Sequence, residues 1–209
     1  GSVTVNADNS RQTVTQGSTS TPDEAPVITQ RNSSAETSNT ITVNAAENAT
    51  ANVTISDVNI KTRNAAVSTN GKGNVNIELD GTNTLKSRVD HAALEKNSDG
   101  NQGKLTITDE NENGKLIATG GDGAAGIGGG LYAGGNDITI TGGEITATGG
   151  DSGAGIGGGN HGEGKNITIT DGEVTAAGGT NGAGIGGGLR KEGEKITVSG
   201  DATLKVQGG

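Results

Sequence analysis

Three chemically active side chains recur at a constant spacing in the C-terminal half of the chain. Tyr132, His161 and Arg190 lie 29 residues apart, each two residues after a run of three glycines. A phenol ring, an imidazole and a guanidinium can all contact sugars or carboxylates, the guanidinium through paired hydrogen bonds. We predict that these side chains form one column that binds a ligand. Loop tips that vary freely in solvent are the alternative explanation of the pattern.

The charge of the chain limits which ligand this column could take. The formal net charge is −9, so an acidic ligand would be repelled unless local cations offset the repulsion. Lys165 and Lys191 lie in the same loops as the column, and we include them with Arg190 among the predicted ligand-binding residues. A bridging calcium ion would also offset the repulsion.

Two aspartates share a position in the same spacing. Asp122 and Asp151 lie 29 residues apart and each follows a pair of glycines, whereas Thr180 occupies the third equivalent position. Calcium takes about six to eight oxygen ligands, so two carboxylates with loop carbonyls could hold it. Aspartate also suits the backbone angles of tight turns, which explains the same residues without a metal. Calcium is the one cofactor that the sequence suggests, and no cofactor is predicted to be required.

Candidate catalytic groups are present but dispersed. Glycoside hydrolysis requires two carboxyl groups about 5–9 Å apart, one of them acting as an acid. Glu144 and Glu173 share a repeat position at the start of a strand, which is typical of surface carboxylates. His91 and His161 lie in different loops. Because no acid, base and arginine cluster along the sequence, we predict that the protein is not an enzyme; a polysaccharide lyase or hydrolase is the alternative.

The residues around these side chains show which elements must position them. From Gly114 to Gly200 the chain falls into three ungapped rows of 29 residues, which is typical of a stacked repeat. Short runs of alternating apolar and polar residues, separated by glycine clusters, indicate three strands and three turns per row. One row is then one coil of an all-β parallel β-helix, with equivalent residues about 4.8 Å apart. A β-sandwich is the alternative, but its strands do not usually repeat at a constant length.

The repeat extends upstream when variation in loop length is allowed. We predict about five to six coils of three short strands over residues 41–209. The first and third residues of each strand triplet share a face, and we assign that face to the interior of the solenoid. Residues 1–40 hold both prolines of the chain and are predicted to be an N-terminal cap or linker. Three classes of strand recur, each recognised by a triplet of residues. Triplets of the first class begin at Val53, Val75, Leu105, Ile138, Ile167 and Ile196. Triplets of the second class end at Val67, Leu94, Ile127, Ile156 and Ile185, and those of the third class begin at Val58, Leu116, Ile145, Val174 and Leu204.

Threonine occupies the middle of most triplets in the first strand class. Thr139, Thr168 and Thr197 would stand in a row on the outer face of one sheet. Threonine ladders of this kind resemble those of ice-binding β-helices. Threonine is also a good β-residue and solvates an outer face, so ice binding is kept only as an alternative.

Composition excludes several classes of protein. The chain has no cysteine, so disulfides and thiolate metal sites are excluded. Its net negative charge argues against nucleic acid and anionic membrane surfaces as partners. There is no apolar run of about 18 residues, so we predict no direct membrane insertion. We expect the sequence to be part of a longer chain with other domains.

The coils resemble a known family. The segments Val53–Ile60, Asn74–Gly81 and Leu105–Ile107, with the AGIGGG rows, are similar to right-handed parallel β-helix cell-surface proteins of the bacterial carbohydrate-binding-domain family. The resemblance covers about residues 41–209. It implies a secreted, non-catalytic adhesin or binding module at the bacterial cell surface that recognises polysaccharide or a host-surface glycan or protein, in some members with calcium. The shared motifs are structural, so no binding residue carries over, and a purely structural stalk of a larger surface protein is the alternative.

Overall fold

The computed structural model describes residues 1–98 and 103–209, and every regular element in those ranges is a β-strand. That part of the chain accordingly contains no helix long and apolar enough to cross a membrane. The strands are β1 (Val3–Ala7), β2 (Gln12–Gln16), β3 (Thr19–Pro22), β4 (Val27–Thr29), β5 (Ile41–Ala45), β6 (Thr50–Ser56), β7 (Asn59–Thr62), β8 (Val67–Gly71), β9 (Asn74–Asp80), β10 (Thr82–Ser87), β11 (Leu94–Glu95), β12 (Leu105–Thr108), β13 (Lys115–Thr119), β14 (Ile127–Gly128), β15 (Ile138–Thr148), β16 (Ile156–Gly157), β17 (Gly164–Ala177), β18 (Ile185–Gly186), β19 (Gly193–Val198) and β20 (Thr203–Gln207).

The strands stack in register into the three sides of a parallel β-solenoid of about six coils. The glycine face consists of β5, β8, β11, β14, β16 and β18. The threonine face consists of β6, β9, β12, β19 and the first parts of β15 and β17. The third face consists of β7, β10, β13, β20 and the second parts of β15 and β17. The predicted parallel β-helix is therefore confirmed.

The coils are numbered from β5–β7 as coil one, so that β11–β13 is coil three, β14–β15 coil four and β16–β17 coil five. Coils four and five contain two continuous strands, β15 and β17, where the sequence predicts four. β15 and β17 each pass from the threonine face to the third face without leaving the ladder, and their pairing shifts register between Ile140 and Glu144. Gly143 and Gly172 lie at this corner with φ of 94°. Glycine reaches positive φ without steric cost, which lets the strand bend while pairing continues.

The apolar core is the column of inward side chains that the repeat predicts. On the glycine face, Leu94 pairs with Ile127, Ile127 with Ile156, and Ile156 with Ile185. Ile127 and Ile156 are fully buried, whereas Ile185 in the last described coil is covered from one side and is partly exposed. Stacking of small aliphatic residues fills the narrow interior without large aromatic side chains.

The predicted alignment is wrong by two residues in one coil. Val53 pairs with Ile77, and it is Ala51 that pairs with Val75. Side chains alternate between faces with a period of two, so a shift of two residues keeps Val53 inside the solenoid. Alternation alone cannot distinguish these two registers in the seven-residue strand β6.

Strand β10 is absent from the predicted third strand class because an amide stands at one of its inward positions. Asn83 is fully buried between the coils. Its Oδ1 accepts a hydrogen bond from Val58 N at 3.2 Å, and its Nδ2 donates to Asp80 O at 3.0 Å. These bonds satisfy the side chain, so a polar residue can occupy a position that aliphatic residues fill in other coils.

The parallel ladder begins before residue 41. β1 pairs with β5, and β4 pairs with β6, so residues 1–40 contribute strands to two faces. β2 and β3 then add an antiparallel hairpin outside β1. Gln12 is buried and bonds both backbone groups of Asn52, donating to its O at 2.9 Å and accepting from its N at 2.9 Å. The amide thereby replaces a neighbouring strand at the start of β6, which covers part of an otherwise open edge.

Candidate functional site

The three side chains of the predicted column lie at the tips of equivalent loops. Each loop follows a two-residue strand of the glycine face and is closed by a tight backbone turn, for example Ala133 N to Gly130 O at 3.0 Å. Tyr132 N also donates to Asn160 O in the next coil at 3.0 Å. Added Cβ atoms would collide here: a Cβ on Gly159 would lie 2.1 Å from Gly130 O. The glycines therefore allow successive loops to stack directly.

The backbone at all three loop tips has the left-handed conformation. φ is 63° at Tyr132, 58° at His161 and 58° at Arg190. A residue with a side chain adopts this region at a cost of about 1–2 kcal/mol, whereas glycine adopts it freely. The chain thus holds three large side chains at positions where glycine would be less strained. We refer to Tyr132, His161 and Arg190 as the loop-tip column.

Two members of the loop-tip column are in ring contact. The Tyr132 and His161 rings have centroids 6.0 Å apart and planes inclined by 19°, a stacked arrangement. Tyr132 is the only aromatic residue among Tyr, Trp and Phe in the chain, and it is 70% exposed. Large aromatic side chains usually supply buried area to a core. Here the single one stands on the surface and is oriented by a neighbouring imidazole.

Lys165 lies between two carboxylates from different coils. Its Nζ is 2.8 Å from Glu163 Oε2 and 3.5 Å from Glu194 Oε1. The hydrogen bond to Glu163 raises the pKa of Lys165, and the same bond lowers the pKa of Glu163. The positive charge of Lys165 is therefore compensated within the protein, which reduces what it can offer to an acidic ligand.

The other two predicted cations are placed differently. Arg190 and Lys191 form no ion pair with any residue in the described ranges. The charge of Lys191 contributes to lowering the pKa of Glu163, although Lys191 Nζ is not within 4 Å of that carboxylate. The structure thus brings Tyr132, His161 and Arg190 into one column, in which Arg190 is the cation without an ion pair among the described residues.

Asp122 and Asp151, the predicted calcium ligands, border a surface cleft at a corner of the solenoid. The cleft has a volume of about 350 Å³ and is also lined by Asp90 and Asn160. Asn160 Oδ1 is buried there and has no hydrogen-bond partner. Within the described residues, no three His, Cys, Asp or Glu side chains are grouped closely enough to hold a metal ion. The cleft thus offers three exposed carboxylates, those of Asp90, Asp122 and Asp151, and one amide oxygen, which favours weak cation binding at most.

Replacing Asn160 with leucine is expected to stabilise the protein. The two other repeats have Leu131 and Leu189 at this position, so the site accepts an aliphatic side chain. An unsatisfied buried polar atom costs roughly 1–3 kcal/mol, and Asn160→Leu removes it. Urea unfolding should show a higher midpoint with an unchanged slope. A midpoint equal to or below that of the wild type would show that Asn160 Oδ1 has a partner, such as a water molecule or ion.

Calcium binding at Asp122 and Asp151 remains a prediction, and its expected effect is small. Ligands that bind only the native state raise its stability, by about 1.4 kcal/mol at ten times the dissociation constant. With millimolar affinity, 10 mM calcium should raise the melting temperature by a few degrees, and Asp151→Asn should abolish the shift. Asp201→Asn, an exposed aspartate in the last coil, is the control. Equal shifts in both variants would leave Asp122 and Asp151 as turn residues.

The remaining candidate acids are engaged in structural contacts. Glu144 and Glu173 are direct neighbours on the third face, and each has a lysine on its other side: Lys115 forms an ion pair with Glu144, and Lys205 lies 3.7 Å from Glu173. These pairs offset the repulsion between two like charges on adjacent strands. The carboxylates border an acidic cleft of about 480 Å³ at the bend of β15 and β17.

One buried carboxylate, that of Glu95, and its hydrogen-bond partners are not predicted from the sequence. Glu95 is buried, and its Oε2 accepts from Ala92 N at 3.0 Å and contacts His91 Nδ1 at 2.9 Å. Asn97 Nδ2 donates to Glu95 Oε1 at 3.0 Å, while Asn97 Oδ1 accepts from Gly130 N at 2.8 Å. The sequence does carry a signal, because Glu95 stands where the later repeats have glycine. Its bonds tie the loop of coil three to the loop that carries Tyr132.

Comparison with known proteins supports the repeat but goes no further. A family model described as a beta helix repeat matches residues 112–131, 138–160 and 167–189. Each matched range contains a GIGGG run and ends one residue before a member of the loop-tip column, at Leu131, Asn160 and Leu189. No curated protein and no solved structure shows significant similarity to the chain.

Proposed function

We propose that this protein is a non-catalytic binding module that recognises carbohydrate, or a host surface carrying it, through the loop-tip column. The observation that supports this most is the placement of Tyr132. Tyr132 is the only Tyr, Trp or Phe residue in the chain, and its side chain is 70% exposed. Its ring stacks on His161, and its backbone has positive φ. Eight other non-glycine residues in the described part of the chain also have positive φ, but five of them are Asn or Asp, which tolerate it better than tyrosine does. A bulky residue held in this region is a reason to infer function there.

The strain argument distinguishes this proposal from a purely structural stalk. A stalk requires only that the coils stack, and its loop tips would be most stable with glycine or asparagine at left-handed positions. Tyrosine and arginine give no such conformational advantage. They are, however, the residues that most often carry binding energy at interfaces. A binding role accounts for the presence of Tyr132 and Arg190 at positions where glycine or asparagine would be less strained.

The contacts of the acidic residues support a non-catalytic role. A general acid or base must be free to exchange a proton with substrate. Glu144 and Glu173 are paired with lysines, and Glu95 is buried and bonded to backbone and side-chain donors. Glu95 therefore has a structural role, whereas Glu144 and Glu173 are 54% and 57% exposed and are held by surface ion pairs. A β-helix lyase or hydrolase is the runner-up, and the acidic cleft beside Glu144 is where it would have to act.

The setting that fits this module is the outside of a bacterial cell. The support for this setting is the resemblance of residues 41–209 to bacterial cell-surface β-helix proteins, since the absence of cysteine does not by itself assign a compartment. We therefore propose a secreted or surface-displayed adhesin, joined to other domains of a longer chain, that requires no cofactor and uses calcium at most as an aid.

The proposal predicts that one triple variant loses binding without losing the fold. Binding to a broad panel of polysaccharides and host glycans is compared between the wild type and one variant that carries all three substitutions, Tyr132→Ala, His161→Ala and Arg190→Ala. Loop tips contribute little to the core, so the melting temperature should be retained while binding falls at least tenfold. The matched control is Thr139→Ala, Thr168→Ala, Thr197→Ala on the threonine face of the same coils, which should bind normally.

Two outcomes would contradict the proposal. If wild type binds nothing on the panel, the stalk is the better explanation. If the loop-tip variant binds as well as wild type while the threonine variant does not, binding occurs on the threonine face, where an ordered surface such as ice is the alternative ligand.

A further inference from the structure

The loop that carries Tyr132 rests on coil three, whose sequence differs from that of the later coils. Strand β11 pairs in register with β14, so residues 95–97, Glu-Lys-Asn, stand where residues 128–130 are all glycine. In the later coils, backbone carbonyls of the glycine-rich loops accept two recurring hydrogen bonds. In coil three, the side chains of Glu95 and Asn97 accept them instead.

The first acceptor is the carboxylate of Glu95. Within each later coil an alanine N–H donates to a glycine carbonyl four residues on: the bond runs from Ala125 N to Gly129 O at 2.9 Å in coil four, and it recurs in coils five and six. The equivalent donor in coil three is Ala92 N, which donates to Glu95 Oε2 at 3.0 Å. Glu95 is buried, so its carboxylate takes the place of a backbone carbonyl.

The second acceptor is the amide of Asn97. Gly159 N donates to Ala133 O in the preceding coil at 3.0 Å, and the same bond recurs between coils six and five. In coil four the equivalent donor is Gly130 N, and it donates to Asn97 Oδ1 in coil three at 2.8 Å. At this point the loop that carries Tyr132 is therefore held by a side chain, whereas the next two loops are held by backbone.

Glu95 and Asn97 are also bonded to each other. Asn97 Nδ2 donates to Glu95 Oε1 at 3.0 Å; because a carboxylate only accepts, this bond fixes the orientation of the amide and leaves Oδ1 for Gly130 N. Glu95 is held in turn by Ala92 N and by its contact with His91 Nδ1 at 2.9 Å. The two coils approach closely here, since a Cβ on Gly130 would lie 2.8 Å from Glu95 Oε2. A buried carboxylate thus orients an amide, and the amide holds the start of the next loop.

On the basis of the proposed function, we infer that Glu95 and Asn97 are positioning residues for binding at the loop-tip column. Neither side chain is part of the column. Glu95 orients Asn97, and Asn97 holds Gly130, which lies two residues before the left-handed tip at Tyr132. Loss of this support allows the loop to shift, and a shifted Tyr132 ring no longer stacks on His161. Two side chains of coil three therefore determine where the aromatic member of the column stands.

Near-ultraviolet circular dichroism of the whole chain tests this inference without a ligand. Tyr132 is the only Tyr, Trp or Phe residue, so the tyrosine band reports its ring alone. Asn97→Ala should reduce the band toward that of His161→Ala, which removes the stacking partner, while the far-ultraviolet spectrum stays unchanged. Asn113→Ala is the matched control, because it removes a side-chain hydrogen bond to Asp80 at another corner of coil three. It should leave the tyrosine band unchanged.

Exchanging donor and acceptor tests the bond between the two positioning residues. Asn97→Asp alone places a second carboxylate at the 3.0 Å contact with Glu95 and should reduce the tyrosine band by repulsion. When Glu95→Gln is added, the introduced amide donates to the introduced carboxylate, whose other oxygen still accepts from Gly130 N. The double variant should therefore recover the wild-type band. A loss that the double variant does not recover would show that this bond does not position the loop.

Affinity for the panel glycan that wild type binds best is the second readout. Asn97→Ala should lower this affinity roughly three- to tenfold, the effect of about one hydrogen bond, and Asn113→Ala should leave it unchanged. An unchanged tyrosine band in Asn97→Ala would overturn the inference, even if the affinity fell, because the loss would then not come from the position of Tyr132. A reduced band with wild-type affinity would also overturn it, because the position of Tyr132 would not matter for binding.

The two readouts separate this inference from the proposed function. If wild type binds no glycan of the panel, the proposed function is overturned, and the tyrosine band still decides whether Asn97 positions Tyr132. If wild type binds and the loop-tip variant does not, but Asn97→Ala matches wild type in both readouts, the proposed function stands and the positioning role is wrong.

Discussion

Replacing Ile156 with aspartate is expected to unfold the protein. Ile156 is fully buried on the glycine face between Ile127 and Ile185, within a column of aliphatic side chains. A carboxylate placed there must be either charged without a partner or protonated at a cost, which amounts to at least about 4 kcal/mol. Domains have only about 5–15 kcal/mol of net stability, so the variant should lose its cooperative unfolding transition by circular dichroism.

Two matched substitutions show whether the effect comes from burial. Ile185→Asp lies in the same column but is partly exposed, so it should destabilise the chain less than Ile156→Asp. Thr168→Asp lies in the same coil on the outer face and should leave the transition nearly unchanged. A soluble Ile156→Asp variant that melts cooperatively like Thr168→Asp would show that the inward assignment of this strand is wrong.

Replacing Gly157 with alanine is expected to have the next largest effect. Gly157 has φ of 129°, a region that residues with a Cβ rarely adopt, and an added Cβ would lie 2.0 Å from Gly186 O. Neither the strand nor the carbonyl can move without breaking the ladder of adjacent coils. Strain and collision together should cost roughly 3 kcal/mol or more, lowering the melting temperature by several degrees.

The repeat supplies a control that separates strain from collision. Gly186 is the equivalent residue in the last described coil, with φ of 134°, but its Cβ would meet nothing closer than 3.3 Å. Gly186→Ala therefore adds the same backbone strain with only one tight contact, and it should cost less than Gly157→Ala. Gly208→Ala, which meets only ordinary contact at 3.6 Å, should be neutral. Equal effects at positions 157 and 186 would mean that close stacking of coils is not why glycine is needed.

The parts of the fold that could be predicted are those that the repeat fixes. Ile127, Ile156 and Ile185 follow each other at a constant spacing, so the repeat length alone is enough to place them in one column of stacked coils. Where the spacing varies, prediction is weaker. The alignment of Val53 is wrong by two residues because a strand of period two looks the same after such a shift. β10 is not predicted, because Asn83 occupies one of its inward positions and interrupts the apolar pattern. The buried amide is tolerated there because its hydrogen bonds are satisfied.

The candidate site was predictable in position but not in energetics. The spacing alone places Tyr132, His161 and Arg190 in equivalent loops. Their left-handed backbone could not be predicted, because tyrosine and arginine disfavour it and neighbouring coils impose it. Lys165 pairs mainly with Glu163, which is close in sequence, but its second partner, Glu194, lies one coil away and is recognised only once the coils are stacked. Asn160 Oδ1 likewise becomes an unpartnered atom only when the corner is packed.

The most direct measurement of the central claim is the affinity of a triple glycine variant for the panel glycan that wild type binds best. Tyr132→Gly, His161→Gly, Arg190→Gly removes the loop-tip column and also its backbone strain, about 1 kcal/mol at each position. By calorimetry, we expect a melting temperature equal to or above that of wild type and an affinity at least tenfold lower. A variant that is equally stable and binds with wild-type affinity would show that the loop-tip column is not the binding site.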